Sequence, residues 1–379
     1  MRQVSLALLA VWAFAATACQ QLRLPPLGRE QAPPLPASSP VALPSRPPQQ
    51  PASNATRGDG VYTPVSNVDL QQAIARDIGD IDQLLNQGTQ ARPLPNAEIM
   101  AIYEQGRHAR TADAVWSLRG FATSPVRSRE FPEDAGFYGS DAFLDEPLRS
   151  AIAGTGVTIP FGPEQRHQAI QKGLLRIARY WSLQGLAAAE PKLRAGESDA
   201  LTGAPHDVDA AWAVYVGPET GAPYPSSLAA AARQLEDNFG RTGSIDRPLR
   251  AAMARAQQGA LRNDRREFSA ARLEATSRLN AIFYLEAARD LTEMARAAQA
   301  GNVSGAANVQ MAGLSAYLAI QPIVAIADPE ADRTLVAVFR TDPGALTLTH
   351  RDDGIDALNR TAPALGLLAS DLVSPADFR

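Results

Sequence analysis

Residues 144–151 read LDEPLRSA and residues 245–252 read IDRPLRAA, so one pattern recurs after about 100 residues. A third segment, residues 355–362, reads IDALNRTA and keeps the aspartate, the arginine four positions later and the alanine six positions later. A repeat of this length is a small helical subdomain rather than a short solenoid unit. We therefore predict three degenerate helical repeats, at roughly residues 95–190, 191–300 and 301–379.

The recurring aspartate, Asp145 in the first repeat and Asp246 in the second, has two interpretations. An aspartate at a helix start can accept hydrogen bonds from free backbone N–H groups, and an arginine four residues later can pair with it. The alternative is a ligand-binding role. We favour capping, so the repeat is evidence for architecture rather than for a site.

The first residues have the features of a secretion signal. Arg2 precedes an apolar stretch over residues 4–16 that is too short to span a bilayer, and residues 16–19 read ATAC. An ordinary signal that ends near a cysteine is one interpretation; we favour a bacterial lipoprotein, cleaved before Cys19 and acylated on it. The residue after this cysteine is Gln20 and not aspartate, which by resemblance to Gram-negative lipoproteins favours the outer membrane. The chain has no second cysteine, which excludes a disulfide bond within it.

Proline makes up roughly a quarter of the next 40 or so residues, which are otherwise mostly glutamine, serine and alanine. Such a segment cannot bury enough apolar surface to fold, and in its extended form it could reach on the order of 100 Å. The predicted organisation is a signal peptide over residues 1–18, a proline-rich tether over residues 19–60 and a helical domain over residues 61–379.

The composition beyond the tether is that of a helical protein, because it is rich in alanine and poor in aromatic residues. We predict an all-α bundle with long helices at residues 164–189 and 265–300. Residues 334–339 and 346–349 look like strands and predict a small C-terminal β-hairpin. The net charge of −4 is spread along the chain without a basic run, so we expect no nucleic-acid partner.

The chain contains no P-loop, GxGxxG, HExxH or GxSxG motif, so we do not expect an enzyme. The remaining candidates are hard oxygen and nitrogen donors. His206 and Asp209 lie about one turn apart on a predicted helix, which suits a transition metal or, alternatively, a helix cap. His108 occupies the matching region of the first repeat, with the same alternative. Glu219 lies in a loop of the second repeat, where acids are more often simply solvated.

Glu286 falls at helical steps from Leu279 and Phe283, so its carboxylate lies on or beside a core-facing stripe. Polar residues, Gln105 and Gln184, occupy the counterpart positions of the other repeats. A polar group at a semi-buried position needs a partner, or it costs about 1–3 kcal/mol. We favour an internal hydrogen-bond network, and a metal or anion pocket between repeats is the alternative.

Two parts of the chain resemble a known family. Residues 102–108 read IYEQGRH and residues 118–123 read LRGFAT, while residues 209–217 read DAAWAVYVG and residues 238–240 read NFG. These runs are similar to segments of the algal iron-assimilating, low-iron-inducible periplasmic proteins. The algal proteins carry cysteines beside the NFG run, whereas this chain has none there, so loop geometry that depends on disulfide bonds does not carry over.

The resemblance implies an extracytoplasmic component of iron uptake, which captures ferric or ferrous ion and passes it on. Carried over by motif, the positions at stake are Tyr103, Glu104, Asp209, Tyr215 and Glu219. The two tyrosines are candidate phenolate ligands, and they are equally well explained as core aromatics because both lie at helical steps from apolar neighbours.

We therefore predict a non-catalytic lipoprotein of the cell envelope, lipid-anchored to the outer membrane, that binds iron for uptake and serves an envelope transporter or another protein partner. The candidate metal ligands are Glu104, His108, His206, Asp209, Glu219 and Glu286, with Tyr103 and Tyr215 as phenolate ligands. The main alternative is a structural or interaction lipoprotein whose repeats form a protein-binding scaffold. A weaker alternative is a hydrolase with an acid pair such as Asp209 and Glu219.

Overall fold

The described part of the chain is helical. The computed structural model describes residues 62–87, 93–110, 115–158, 161–218 and 224–378, where an isolated bridge between Arg110 and Val115 is the one extended pairing. The α-helices of this part are α1 (Asp69–Gln87), α2 (Asn96–Gln105), α3 (Leu118–Ala122), α4 (Arg127–Glu130), α5 (Pro132–Tyr138), α6 (Asp145–Ala153), α7 (Pro163–Arg194), α8 (Ala204–Val216), α9 (Leu228–Asn238), α10 (Asp246–Leu261), α11 (Arg265–Gln299), α12 (Val303–Tyr317), α13 (Gln321–Ala327), α14 (Pro329–Val338) and α15 (Leu348–Thr361). The prediction of an all-α bundle is confirmed.

Two long helices organise the bundle. Helix α7 has 32 residues and α11 has 35, so each is about 50 Å long. Helix α7 packs against α6, α8 and α12, whereas α11 packs against α10, α12 and α15. Both long helices were predicted from the sequence, and their buried residues form the centre of one continuous hydrophobic core.

Local chemistry explains how the two long helices begin and pack. Helix α11 starts after Asp264, whose side chain accepts a hydrogen bond from the backbone N–H of Glu267 at 3.0 Å. Helix α7 starts with Pro163, which fits the first helical position because the N–H it lacks would be unpaired there. A Cβ atom on Gly185 would lie 2.7 Å from the carbonyl oxygen of Asp207, so glycine lets α7 and α8 approach this closely.

The predicted C-terminal β-hairpin is wrong. Residues 334–338 lie inside α14, and residues 346–349 lead into the start of α15. Helix α14 begins after Asp328, whose side chain accepts two backbone N–H groups, and it buries Ala331, Leu335 and Val338. These three residues follow the helical spacing, and their burial outweighs the β-propensity of the segment.

The recurring aspartates join neighbouring helices rather than cap their own. The hydroxyl of Tyr103 donates to Asp145 at 2.8 Å, and that of Tyr215 donates to Asp246 at 2.6 Å. Asp246 also pairs with Arg250 at 2.8 Å, so the predicted pairing with the arginine four residues later is confirmed there. The capping interpretation is wrong, because both side chains point to partners outside their own first turn.

The third segment of the predicted repeat does not behave like the first two. Asp356 lies in the middle of α15 and is exposed, so it neither begins a helix nor joins two helices. A third pair of the same kind forms elsewhere, since the hydroxyl of Tyr317 donates to Asp332 at 2.7 Å. The count of three repeats and their boundaries stay predictions, and the signal peptide and tether predicted for residues 1–60 lie outside the described residues.

Within the described ranges, no single helix has the length and apolar composition needed to cross a membrane. The pair α12 and α13 meets that criterion only when taken together, and it is bent by 70°.

Candidate functional site

Asp209, a predicted metal ligand, holds the segment that precedes α1. Its buried carboxylate on α8 accepts from the hydroxyl of Tyr62 and the amide of Gln257 through Oδ1, both at 2.6 Å. Its Oδ2 accepts from the backbone N–H groups of Val65 and Ser66 and from the Ser66 hydroxyl, all at 2.8 Å. We call this arrangement the Asp209 clamp. Burial raises the pKa of Asp209, although the hydrogen bonds from Tyr62, Ser66 and Gln257 oppose that shift.

His206 borders the Asp209 clamp. Its Nδ1 lies 3.1 Å from the hydroxyl of Ser66, so Ser66 connects the predicted pair His206 and Asp209. The neighbouring Asp207 forms an ion pair with Lys192 at 2.8 Å. The structure thus brings His206 and Asp209 together, but around a protein segment whose donors already occupy both carboxylate oxygens.

The two predicted phenolate ligands are core residues. Tyr103 and Tyr215 are fully buried, and each donates its hydroxyl to the aspartate of the next repeat helix, Asp145 or Asp246. Burial, reinforced by the negative aspartate, raises the pKa of both tyrosines well above the ordinary value. They therefore act as neutral hydrogen-bond donors in this arrangement.

Glu104 and His108 lie near each other in sequence but have different partners. Glu104 is partly exposed and pairs with Arg119 at 3.1 Å. The ring Nε2 of His108 lies 3.1 Å from the carboxylate of Asp80, and its backbone N–H donates to the buried Asp77 at 2.8 Å. His108 is therefore held at the surface end of a turn, with one acidic side chain beside its ring.

The predicted ligands do not converge on one point. Glu219 and Cys19 lie outside the described residues, and within the described ranges no three or more histidine, cysteine, aspartate or glutamate side chains form a group that could hold a metal ion. Metal coordination by the predicted residues stays a prediction. Their contacts in the structure are hydrogen bonds and ion pairs that join segments of the fold.

Glu286 belongs to a buried charge cluster, which we define as Lys172 of α7 with Glu286, Arg289 and Asp290 of α11. The Lys172 ammonium donates to Glu286 Oε1 at 2.5 Å, and Nη2 of Arg289 donates to the same oxygen. Arg289 also donates to Asp290 Oδ1, from Nε at 2.9 Å and from Nη2 at 2.6 Å. The internal network that we favoured for Glu286 is present, and it joins the two long helices.

The two carboxylates of the charge cluster differ in their titration. Burial opposes the ionisation of Glu286, but the charges of Lys172 and Arg289 outweigh it and lower the pKa of Glu286. Burial raises the pKa of Asp290 to about 7, and the attraction of Arg289 only partly offsets it. Asp290 is 1% exposed, and its Oδ2 has no hydrogen-bond partner among the described residues. The cluster therefore contains one buried acceptor that the fold leaves unsatisfied.

The charge cluster lines a cleft that we call the polar trough, between α7, α9, α11 and α12. It consists of two cavities of about 130 and 420 Å³, which share Gln171, Lys172 and Gln234 in their walls. The larger cavity has the volume of a small-molecule site. Its carboxamide side chains, which can both donate and accept hydrogen bonds, are Gln168, Gln171, Gln234, Asn238 and Asn308. At the end near α1, Asp82 accepts from Gln171 and from Ser226, both at 2.8 Å.

Our sequence analysis identified Glu286 but missed its partners. Lys172 carried a usable signal, because it and Lys192 are the only lysines in a chain whose other basic residues are arginines. A charged residue on a long helix beside core residues needs a buried partner. The spacing does not reveal which distant residue supplies that partner, since Lys172 and Glu286 are 114 residues apart.

Residues 52–324 match the family model described as low iron-inducible periplasmic protein. No curated protein and no solved structure matches significantly. The match covers well over half of the chain, from before α1 to within α13, and includes the polar trough. This chain therefore belongs to the family of low iron-inducible periplasmic proteins.

Proposed function

We propose that this protein captures iron outside the cytoplasm for uptake when iron is scarce. In this proposal it is a binding protein without catalytic turnover, anchored through a lipid on Cys19 to the outer membrane, and it passes its cargo to an envelope transporter. Membership of the low iron-inducible periplasmic family is the observation that carries the proposal.

The polar trough is the place that we propose for the cargo. It combines a small-molecule volume with buried charges and an unsatisfied buried acceptor, Asp290 Oδ2. The carboxylates of Glu286 and Asp290 are oxygen donors of the kind that ferric iron prefers. Lys172 and Arg289, however, place two positive charges against these oxygens, so the trough suits iron that is accompanied by negative charge.

Uptake of radiolabelled iron by iron-starved cells tests the proposal. Deleting the gene should lower the initial uptake rate, and the full-length chain should restore it. Lys172→Gln should fail to restore it, since glutamine keeps a hydrogen-bond donor for Glu286 but removes the charge. Lys192→Gln is the matched control, because Lys192 is the other lysine of the chain and pairs with Asp207 at the end of α7, away from the trough residues.

An unchanged uptake rate in the deletion strain would overturn the proposal. In that case the scaffold alternative would become the better account, and it predicts that purified full-length protein is free of iron while an envelope protein copurifies with it. Equal rescue by Lys172→Gln and Lys192→Gln would remove the trough as the cargo site, even where the deletion itself lowers uptake.

A further inference from the structure

The polar trough presents opposite kinds of hydrogen-bonding groups side by side. Lys172 commits one N–H to Glu286, and Arg289 commits Nε and Nη2 to Glu286 and Asp290. Lys172 Nζ and Arg289 Nη1 therefore keep N–H donors for a ligand. Asp290 lines the larger cavity, and its buried Oδ2 has no partner among the described residues, so the fold leaves this acceptor unsatisfied.

These groups select the chemistry of a ligand. Uncommitted N–H donors on two cations suit a carboxylate, which accepts hydrogen bonds and carries negative charge. An unsatisfied carboxylate oxygen suits a hydroxyl, which donates. The carboxamides of Gln171 and Gln234, in the part of the wall common to both cavities, can serve either group. A molecule that carries carboxylates and a hydroxyl on adjacent carbons matches both kinds of group at once.

We propose that the polar trough binds a small hydroxycarboxylate anion, with its carboxylates on Lys172 and Arg289 and its hydroxyl on Asp290. In the ferric chelate of this anion the hydroxyl is bound to iron, so the carboxylates that iron leaves free would bind Lys172 and Arg289. The iron-bearing form rests on the proposed function, whereas binding of the free anion does not. In the iron-bearing form, iron reaches the trough as a complex whose carboxylates face the protein.

The charges at the two ends of the trough are compatible with this ligand. Asp82 already accepts hydrogen bonds from Gln171 and Ser226, so its charge is partly compensated by protein donors. Glu293 also lines the larger cavity and is half-buried. The charges of Lys172 and Arg289 are offset by Glu286 and Asp290, so their uncommitted N–H groups, rather than a net positive charge, would hold the carboxylates of the ligand.

Calorimetry with the full-length protein tests the proposal at about pH 8, where Asp290, with its pKa of about 7, is mostly ionised and can accept a hydroxyl. The ligands are citrate, ferric citrate and tricarballylate, which is citrate without its hydroxyl. Citrate should bind on the order of tenfold more tightly than tricarballylate, because only citrate can satisfy Asp290 with a hydroxyl. Lys172→Gln should weaken the binding of both anions by tenfold or more, and Lys192→Gln should leave both unchanged. Asp290→Asn should reduce the preference for citrate, with circular dichroism confirming that the variant is folded.

The outcomes of these binding measurements distinguish failure of the hydroxycarboxylate site from failure of the proposed iron capture. Absence of citrate and ferric citrate binding at millimolar concentration would overturn the inference, as would equal affinity of Lys172→Gln and the parent chain. Tight capture of a ferric trihydroxamate complex instead would overturn the inference while leaving iron capture in place. Binding of citrate but not of ferric citrate would support the site in its free-anion form and count against the trough as the iron cargo site.

Discussion

Asp209 and Asp290 are both buried aspartates on helices of the core, but the fold treats them differently. Asp209 accepts five hydrogen bonds and ties the segment before α1 to α8 and α10. Asp290 has one oxygen engaged by Arg289 and one oxygen without a partner among the described residues. A buried polar group is normally satisfied, so folding explains the first aspartate, and the second carries the oxygen for which we propose a ligand.

The comparison corrects a common inference from sequence. Asp209 lies in a segment that resembles the family and has a histidine one turn away, which made it a candidate ligand in the sequence analysis. Val65 and Ser66 lie more than 140 residues earlier in the chain, and their N–H and O–H groups donate hydrogen bonds to its carboxylate. The number of free lone pairs, rather than the residue type, distinguishes a structural carboxylate from a binding one.

The largest effect is expected when the Asp209 clamp is broken. Asp209→Ala removes the acceptor of five hydrogen bonds and leaves one N–H of the buried Gln257 amide and the hydroxyl of Tyr62 without this acceptor. We expect the free energy of unfolding to fall by roughly 3–5 kcal/mol. Urea denaturation of the full-length chain, followed by circular dichroism, measures this loss.

The same variant decides whether Asp209 also binds cargo. At a temperature where Asp209→Ala remains folded, its affinity for ferric citrate should equal that of the parent chain. A stability loss below about 1 kcal/mol would mean that the clamp is not needed for the fold. A selective loss of iron affinity at full stability would instead support Asp209 as a ligand.

The sequence predicted the helical architecture well because helix formation depends on local spacing. The long helices α7 and α11 were recognised from apolar residues at three- and four-residue steps, and their bounds were close to those observed. The C-terminal hairpin failed because its short β-branched runs have no strand partner, whereas Asp328 caps a helix and Ala331, Leu335 and Val338 give that helix a buried face.

The site was less predictable because its contacts join distant parts of the chain. Glu286 was recognised as a carboxylate on a core stripe, which is a local property. Its contact with Lys172 spans 114 residues and depends on how α7 packs against α11. The orphaned oxygen of Asp290 is a property of three-dimensional packing alone, so the spacing of residues in the sequence cannot indicate it.

A smaller and pH-dependent change in the free energy of unfolding is expected when Asp290 is replaced. The pKa of Asp290 is raised from its ordinary value of 3.8 to about 7 by burial, so the folded state holds a proton that the unfolded state releases near pH 4. This contribution to stability is fully present below about pH 4 and is lost as the pH rises to about 7. Asp290→Asn removes it, so the variant should gain stability relative to the parent chain over that range, by at most about 4 kcal/mol.

Urea denaturation of both chains at about pH 4.5, 6 and 7.5 measures this difference. Glu286 contributes in the opposite direction, because its lowered pKa stabilises the fold above its unfolded pKa and that stability is lost only in more acidic solution. Glu286 is present in both chains and its charge helps to raise the pKa of Asp290, so the difference between the chains measures the titration of Asp290 beside Glu286. A stability difference that does not change with pH would mean that Asp290 is ionised in the folded protein throughout.

The smallest loss of stability is expected at Asp246, because its carboxylate keeps other partners when one donor is removed. Tyr215→Phe removes one hydrogen bond to Asp246, but Arg233 at 2.7 Å and Arg250 at 2.8 Å still neutralise that carboxylate. We expect a loss of about 1 kcal/mol in the free energy of unfolding. Iron and citrate binding should be unchanged, because the buried Tyr215 remains a protonated donor rather than a phenolate.

Tyr103→Phe tests this expectation at the corresponding tyrosine–aspartate pair, Tyr103 and Asp145. Asp145 has weaker substitutes, since Arg119 lies 3.3 Å and Arg149 4.0 Å from its oxygens, so the same deletion of a hydroxyl should cost more there. Chemical denaturation of the two single variants tests the order. Tyr215→Phe could instead prove the more destabilising of the two variants. The number of remaining partners would then not determine how strongly a buried carboxylate depends on a single donor, and counting partners would not explain the difference between Asp209 and Asp290.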